Sequence, residues 1–263
     1  MSTSPNTSNY LLGKGKVYVD LLTAAGVRTG EIDVGNCTAF TVTPTVESLD
    51  HFESMGGIRE KDKSVDTSVA MLAKWNTDEY SLRNLMLGVL STVERTYAQA
   101  TGHQINFPIV ARVEKWMKLG EFRNVHNVVV TNTAGTTTYV LGTDYNLDAA
   151  IGRIFTIDGG SISGGQTIHV DFNYDATTYD GIYVADSSTI EIFLRFVGNP
   201  AVGPVWEGEF WKARLKPAGD LGFISEEWSG MDFEAEILKD VINYPTMPWG
   251  RMIDKTTNDA ATS

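Results

Sequence analysis

Between Phe40 and Val46 the chain alternates strictly: Phe40, Val42, Pro44 and Val46 are separated by Thr41, Thr43 and Thr45. A period of two puts every apolar side chain on one face of an extended strand and every threonine on the other, so this stretch reads as a β-strand with one apolar face. Pro44 has no N–H to give to a neighbour, which places it at a sheet edge or a bulge. The same signature recurs along the chain. Lys16 to Leu22 and Glu31 to Val34 read as strands, joined by a polar turn from Ala25-Gly26 to Gly30. Thr67 to Trp75 follows, with Val69, Met71, Ala73 and Trp75 on one side. Between Glu47 and Val65 the alternation breaks into a long, charged, Gly-containing connection, expected to be a loop at the mobile tip of an extended hairpin.

One segment has a helical period. Leu82, Leu85, Met86 and Val89 recur at i, i+3, i+4 and i+7, with Thr77 as the expected N-cap, Asp78 and Glu79 in the first turn, and Gly88 weakening the end. Beyond it the strand signal returns at Ile105 to Val113, Asn127 to Thr131, Thr138 to Leu141, Ile151 to Ile157, Thr167 to Phe172, Ile182 to Val184, Ile190 to Phe196, Val205 to Leu215, Gly222 to Glu227 and Met231 to Leu238. Ala134-Gly135 marks a hairpin turn, and many of the 25 glycines punctuate strands in pairs such as Gly159-Gly160. The expected fold is all-β, a sandwich or barrel carrying one packed α-helix.

Composition narrows the function classes. The 263 residues carry a formal net charge of -12, which repels nucleic-acid phosphates and disfavours tight DNA or RNA binding. Cys37 is the only cysteine, so no disulfide or thiolate cluster forms within one chain, and its expected role is that of a small hydrophobe. Residues 1–10 are polar and expected to be flexible, with no basic region leading into an apolar run, and 255–263 form a polar tail. No stretch reaches the roughly 18 apolar residues of a membrane helix, so the expectation is a protein of the cytoplasm or of something assembled there.

Chemistry-bearing patterns are incomplete. Gly13-Lys14-Gly15-Lys16 lacks the spacing of a phosphate loop and runs into a strand, not a helix. His51, His103, His126 and His169 are scattered without metal spacing. Gly160-Ser161-Ile162-Ser163-Gly164 has one residue too many for a nucleophile elbow and reads as a turn. Asp144, Asp148, Asp158, Asp171 and Asp175 lack the order of a calcium loop and read as turn and strand-end residues. Glu226-Glu227 and Asp232, Glu234 and Glu236 could supply a hydrolytic carboxylate pair, for which Glu226 and Asp232 would be the residues to test, but no sugar-gripping aromatic order accompanies them. Trp206, Trp211 and Trp228 read as core or interface aromatics. The expectation is a non-enzyme without cofactor or metal.

Taken in order, several segments resemble the major tail tube proteins of long-tailed phages. Leu12 to Asp20 resembles that family's first strand. Gly35-Asn36-Cys37, Glu47 to Ser54 and Gly57 to Asp62 are similar to its strand, long loop and return strand. Gly142 to Asp148 with Gly152-Arg153-Ile154, and later Leu194-Arg195-Phe196, Gly198-Asn199 and Gly222-Phe223-Ile224, also fit. The resemblance implies a tail-tube domain over 11–254, with an arm loop at 47–65 and a possible β insert at 124–174. It implies self-association into stacked hexameric rings whose hairpins join into an inner barrel, which removes exposed strand edges. It implies that Arg59, Glu60, Lys61, Asp62 and Lys63 make ring-to-ring salt bridges, with Glu47, Asp50 and Glu53 at inter-ring or lumen surfaces. The implied partners are further copies, a tape measure protein and tail terminator and tip proteins. Phage DNA would pass a negative lumen without specific binding, there would be no membrane partner, and the virion tail, assembled in host cytoplasm, would be the location. The alternative from residues alone is a virion-displayed β-sandwich that binds a receptor or carbohydrate through Tyr174, Tyr179 and Tyr183.

Overall fold

In the computed structural model, which describes residues 7–256, strands are the dominant regular structure. The strands are β1 (Gly15–Leu21), β2 (Ile32–Asp33), β3 (Phe40–Glu53), β4 (Glu60–Thr77), then, after the helix α1 (Leu82–Gly88), β5 (Glu94–Gln99), β6 (Gly102–Val110), β7 (Trp116–Lys118), β8 (Val125–Asn132) and β9 (Thr138–Tyr139). They continue as β10 (Tyr145–Asp148), β11 (Arg153–Thr156), β12 (Thr167–Tyr174), β13 (Thr177–Ile182), β14 (Glu191–Gly198), β15 (Trp206–Pro217), β16 (Met231–Ile237) and β17 (Arg251–Asp254). The fold class is all-β with one short helix, as the alternating sequence pattern requires. Two compact units divide the described residues: unit 1 runs to Glu94 and resumes at Ile182, and unit 2 is Arg95–Gly181.

Unit 1 is built on one antiparallel sheet in the order β2-β1-β14-β15-β16-β4-β3. The strand β15 divides its second edge. Trp206 to Glu209 pair with β17, and Ala213 to Pro217 pair with β16. Alternation puts Val17, Val19, Leu194, Phe210, Leu215, Phe233, Ala235, Ala73 and Trp75 into one shared core. The opposite face of the sheet carries ion pairs across neighbouring strands, among them Lys74–Glu234, Lys216–Glu236 and Lys212–Glu191, each at 2.9 Å.

The helix starts later than expected. Thr77 is the last residue of β4 and donates its hydroxyl to the Val34 carbonyl at 2.8 Å, so it is not the cap. Ser81 caps instead, its side chain accepting from the Asn84 amide at 3.2 Å. Two further expectations fail. Gly222 to Glu227 forms no strand, and Ile182 to Val184 holds only the end of β13.

Unit 2 packs a four-stranded sheet, β6-β12-β8-β9, and a three-stranded sheet, β10-β11-β7, around a separate core. Ile168, Val170 and Phe172 of β12 and Ile154 of β11 are wholly buried in it. This unit is wider than the 124–174 segment marked from the sequence, because β5, β6 and β13 belong with it. The 255–263 tail lies outside the described residues except for Lys255 and Thr256, as do residues 1–6, while Thr7–Asn9 form a short 3-10 turn.

Candidate assembly interface

The β3–β4 hairpin of unit 1 runs on well beyond its neighbour in the sheet. β16 pairs with β4 only from Met71 to Thr77, yet the β3–β4 ladder runs on to Glu53–Glu60. The Glu47 to Val65 stretch is therefore not a loop, as read from the sequence, but a paired ladder. Only 54–59 lie outside the strands. Two register shifts, at Glu47/Ser48 and His51/Phe52, interrupt its period.

The charged residues singled out from sequence lie on this hairpin, and most are engaged with their own cross-strand neighbours. Lys61 reaches Asp50 at 2.7 Å, and Ser64 donates to the same carboxylate at 2.6 Å. Those two bonds hold the Asp50 carboxyl below its usual range, the Lys61 contact contributing most. Ser68 donates to Glu47 at 3.0 Å, and His51 Nδ1 lies 2.6 Å from Asp62. Arg59 stands over the ring of Phe52, 5.3 Å from its centroid. Glu53 faces Glu60, and Lys63 faces His51 across the ladder.

Apolar side chains on the hairpin also stand in water. Leu49 and Val65, directly opposite one another, are 70% and 52% exposed, and Met55 and Ile58 at the turn are 90% and 78% exposed. Val46, Val69 and Phe52 add to this surface. Along all of β3 the outer edge carries no neighbouring strand among the described residues. Unpaired edges with apolar side chains are what folded chains ordinarily bury or blunt.

A second construction, not singled out from the sequence, sits on the polar face of the sheet. Arg195 bridges Glu207 at 2.6 Å, Glu209 at 2.9 Å and Glu31 at 3.0 Å. Lys255 and Arg251 close the far side of Glu207 and Glu209, and Arg28 bonds Asp20 at 2.7 Å and also Glu31. Glu207, Glu209 and Asp20 are buried, so each needs these partners. The Lys255 hydrogen bond chiefly, and Arg195 after it, hold the Glu207 carboxyl below its usual range against the opposing effect of burial. Burial alone would raise Asp20, but hydrogen bonds from Arg28, Gly30 and Thr29 outweigh it and lower the carboxyl. The signal was present in the alternation of Glu207 and Glu209 with Gly208 and Phe210.

A family model described as Protein of unknown function UCP028589 matches residues 10–247. The chain belongs to that family. The matched UCP028589 span takes in the hairpin, the Arg195 network except for Arg251 and Lys255, and both cores. No curated protein matches the chain.

The other residues marked in the sequence disperse. Lys16 of the Gly-Lys-Gly-Lys run pairs with Asp33 at 2.9 Å. Asp144 accepts the Ser161 amide at 2.7 Å and the Val140 amide at 2.8 Å, which ties two turns together and lowers its carboxyl. Asp148 pairs with Arg153 at 2.9 Å, Asp171 accepts the Asn106 amide at 2.6 Å, Asp175 lies 3.7 Å from His126, and Asp158 lies in a turn. Among the described residues no group of three His, Cys, Asp or Glu could hold a metal. Burial chiefly pushes the Cys37 thiol up to about 11. Tyr174 packs on Phe122, and Tyr179 stacks on Tyr97 with Arg123 over its ring. Tyr183 is 42% exposed. Trp211 is buried against Tyr244, whereas Trp228, expected in a core or an interface, stands fully exposed in this chain. Among the described residues no helix is long and apolar enough to cross a membrane.

Proposed function

We propose that this chain is a structural subunit of a long non-contractile phage tail tube, polymerising as stacked hexameric rings that conduct the genome. The observation that carries this reading is the β3–β4 hairpin: a 14-residue strand with an open edge and apolar side chains in water. In a monomer such an edge invites uncontrolled pairing; in a closed ring each edge finds the next copy. Because the hairpin charges are largely paired among themselves, ring-to-ring contact falls first to Leu49, Val65, Met55 and Ile58. Arg59, Glu60 and Lys63 add a polar rim.

The net charge of -12 supports the same reading, since a negative wall lets DNA slide without adhering. No catalytic role is assigned. Copies of the chain are the principal partners, with a tape measure protein inside the tube and terminator and tip proteins at its ends, all within a virion assembled in host cytoplasm. Negative-stain microscopy of the purified full chain tests this. Rings or filaments are expected, and removal of Gly56–Lys63 should leave folded monomers or single rings. Normal tubes from that deletion overturn the assignment of the hairpin. Discrete wild-type particles at every concentration would favour a displayed binding module.

A further inference from the structure

Two features of unit 1 lie away from the Glu47–Val65 arm of the hairpin. The first is the link between β15 and β16. Tyr80 ties it down by donating its hydroxyl to the carbonyls of Gly222 and Gly230, at 3.1 and 3.2 Å, and by meeting Phe223 edge-on. Between these ties the link presents apolar side chains to water: Phe223 is 70% exposed, Ile224 97% and Trp228 101%. Beside them Glu226 and Glu227 are exposed and their carboxylates have no ion-pair partner among the described residues. A tryptophan held out in water on an anchored loop forgoes a large burial contribution.

The second is a groove of about 460 Å³ walled by Phe40, Phe196, Pro200, Pro204, Trp206 and Met252. Its lining is mostly apolar, and the stacked rings of Phe40 and Phe196 form part of it. Lys14 stands among the lining residues and pairs with no carboxylate among the described residues. Donor loop and groove are thus complementary in kind: aromatic and aliphatic side chains flanked by two unpaired carboxylates, and an apolar trough flanked by an unpaired ammonium.

We propose that the groove is filled by the 218–230 loop of a second copy, with Trp228 seated against Phe196 and Trp206 and Glu226 or Glu227 meeting Lys14. Loop and groove are different surfaces of one chain, so the contact is head-to-tail. It repeats from copy to copy and generates a ring or a filament, not a closed two-fold dimer. The inference rests on the reading of the chain as a self-assembling subunit; that reading stands without it, because the hairpin edges could join copies alone.

Both positions accept cysteine probes, since Ser225 and Thr38 are exposed and Thr38 lines the groove. In a Cys37→Ser background, full-length Ser225→Cys chain is mixed with tagged Thr38→Cys chain and treated with a short bismaleimide. Sedimentation of uncrosslinked Trp228→Ala is measured beside it. A mixed crosslinked dimer mapping to positions 225 and 38, with at least tenfold weaker self-association for Trp228→Ala at unchanged thermal stability, is expected. Rings or tubes that form normally in Trp228→Ala, without the mixed crosslink, overturn the loop-in-groove contact and leave the assembly reading intact. In a third chain that carries both substitutions, a crosslink within the single chain, with none between the mixed chains, shows the loop filling its own groove and also overturns the contact. Wild-type chain that stays monomeric at every concentration, without a crosslink, removes both.

Discussion

Phe40 of β3 stacks on Phe196 of β14 with ring centroids 5.0 Å apart and planes within 3°, although β15, β16 and β4 lie between those strands in the sheet. The sheet must curl until its edge faces its own interior, and this aromatic pair fixes the curl. Phe196→Ala should lower stability by about 2 kcal/mol, less than the roughly 3–5 kcal/mol of a fully buried phenylalanine because the ring is only partly covered. Denaturant unfolding measures it; a change under about 0.5 kcal/mol would mean the pair is incidental.

The exposed Leu49–Val65 pair separates folding from assembly. Replacing both with threonine keeps β propensity and removes the apolar contact surface, so the monomer's unfolding free energy should move by no more than about 0.5 kcal/mol. Light scattering should nevertheless show loss of large particles. Unchanged particle size would show that the hairpin face is not an interface.

Arg195 is the hub of three carboxylates, two of them buried, and its loss leaves each with one cation fewer. Arg195→Met should cost roughly 2–4 kcal/mol, at or below the range for breaking a buried pair, since the guanidinium keeps some contact with water. Glu207 and Asp20 have folded-state carboxyls below their unfolded values. Their contribution is therefore complete above the ordinary carboxylate range near pH 4 and is lost as pH falls through the lowered folded values. Melting temperature should hold steady from pH 7 to about pH 5 and drop below, and Glu207→Gln should make that drop shallower.

Gly152 in unit 2 has a φ of +68°, and a Cβ there would stand 1.9 Å from the Phe122 carbonyl oxygen. Gly152→Ala should destabilise unit 2 by at least about 1–3 kcal/mol through backbone strain and displacement. Hydrogen exchange resolves the effect: faster exchange is expected in β8, β11 and β12, with β14 to β16 unaffected. Uniform acceleration across both units would contradict their separate cores.

Where side chains alternate without interruption, the fold was legible in the sequence. Phe40 to Val46 became a strand, Pro44 lies in an edge strand, and Ala134-Gly135 turns β8 into β9. The hairpin beyond Val46 was not legible, for a geometric reason. A register shift between Glu47 and Ser48 separates the two exposed apolar pairs, so Leu49 lies three residues after Val46, on the opposite parity, whereas Val65 lies four before Val69. Its charges looked like those of a solvated loop because the partners that engage them, such as Asp50 for Lys61, stand on the other strand. Thr77 carried the signal of a helix cap but uses its hydroxyl on Val34, 43 residues away, a contact no local pattern announces. Phe223 and Ile224 have strand propensity without a partner strand, and Glu207, Glu209 and Arg195 meet only after β14 and β15 pair.

The strands β5 and β13, at the two ends of unit 2, pair with each other, and Thr96 donates to Asp180 across them at 2.6 Å. Once unit 2 has folded, the chain between β4 and β14 behaves as a short tether, although 87 residues separate Glu94 from Ile182. Holding those ends together roughly halves the chain that must close to bring β14 to β1, which removes about 0.6 kcal/mol of loop-closure entropy. Unit 2 thereby acts as an internal splint, and a substitution that loosens it should modestly slow the pairing of β14 with β1.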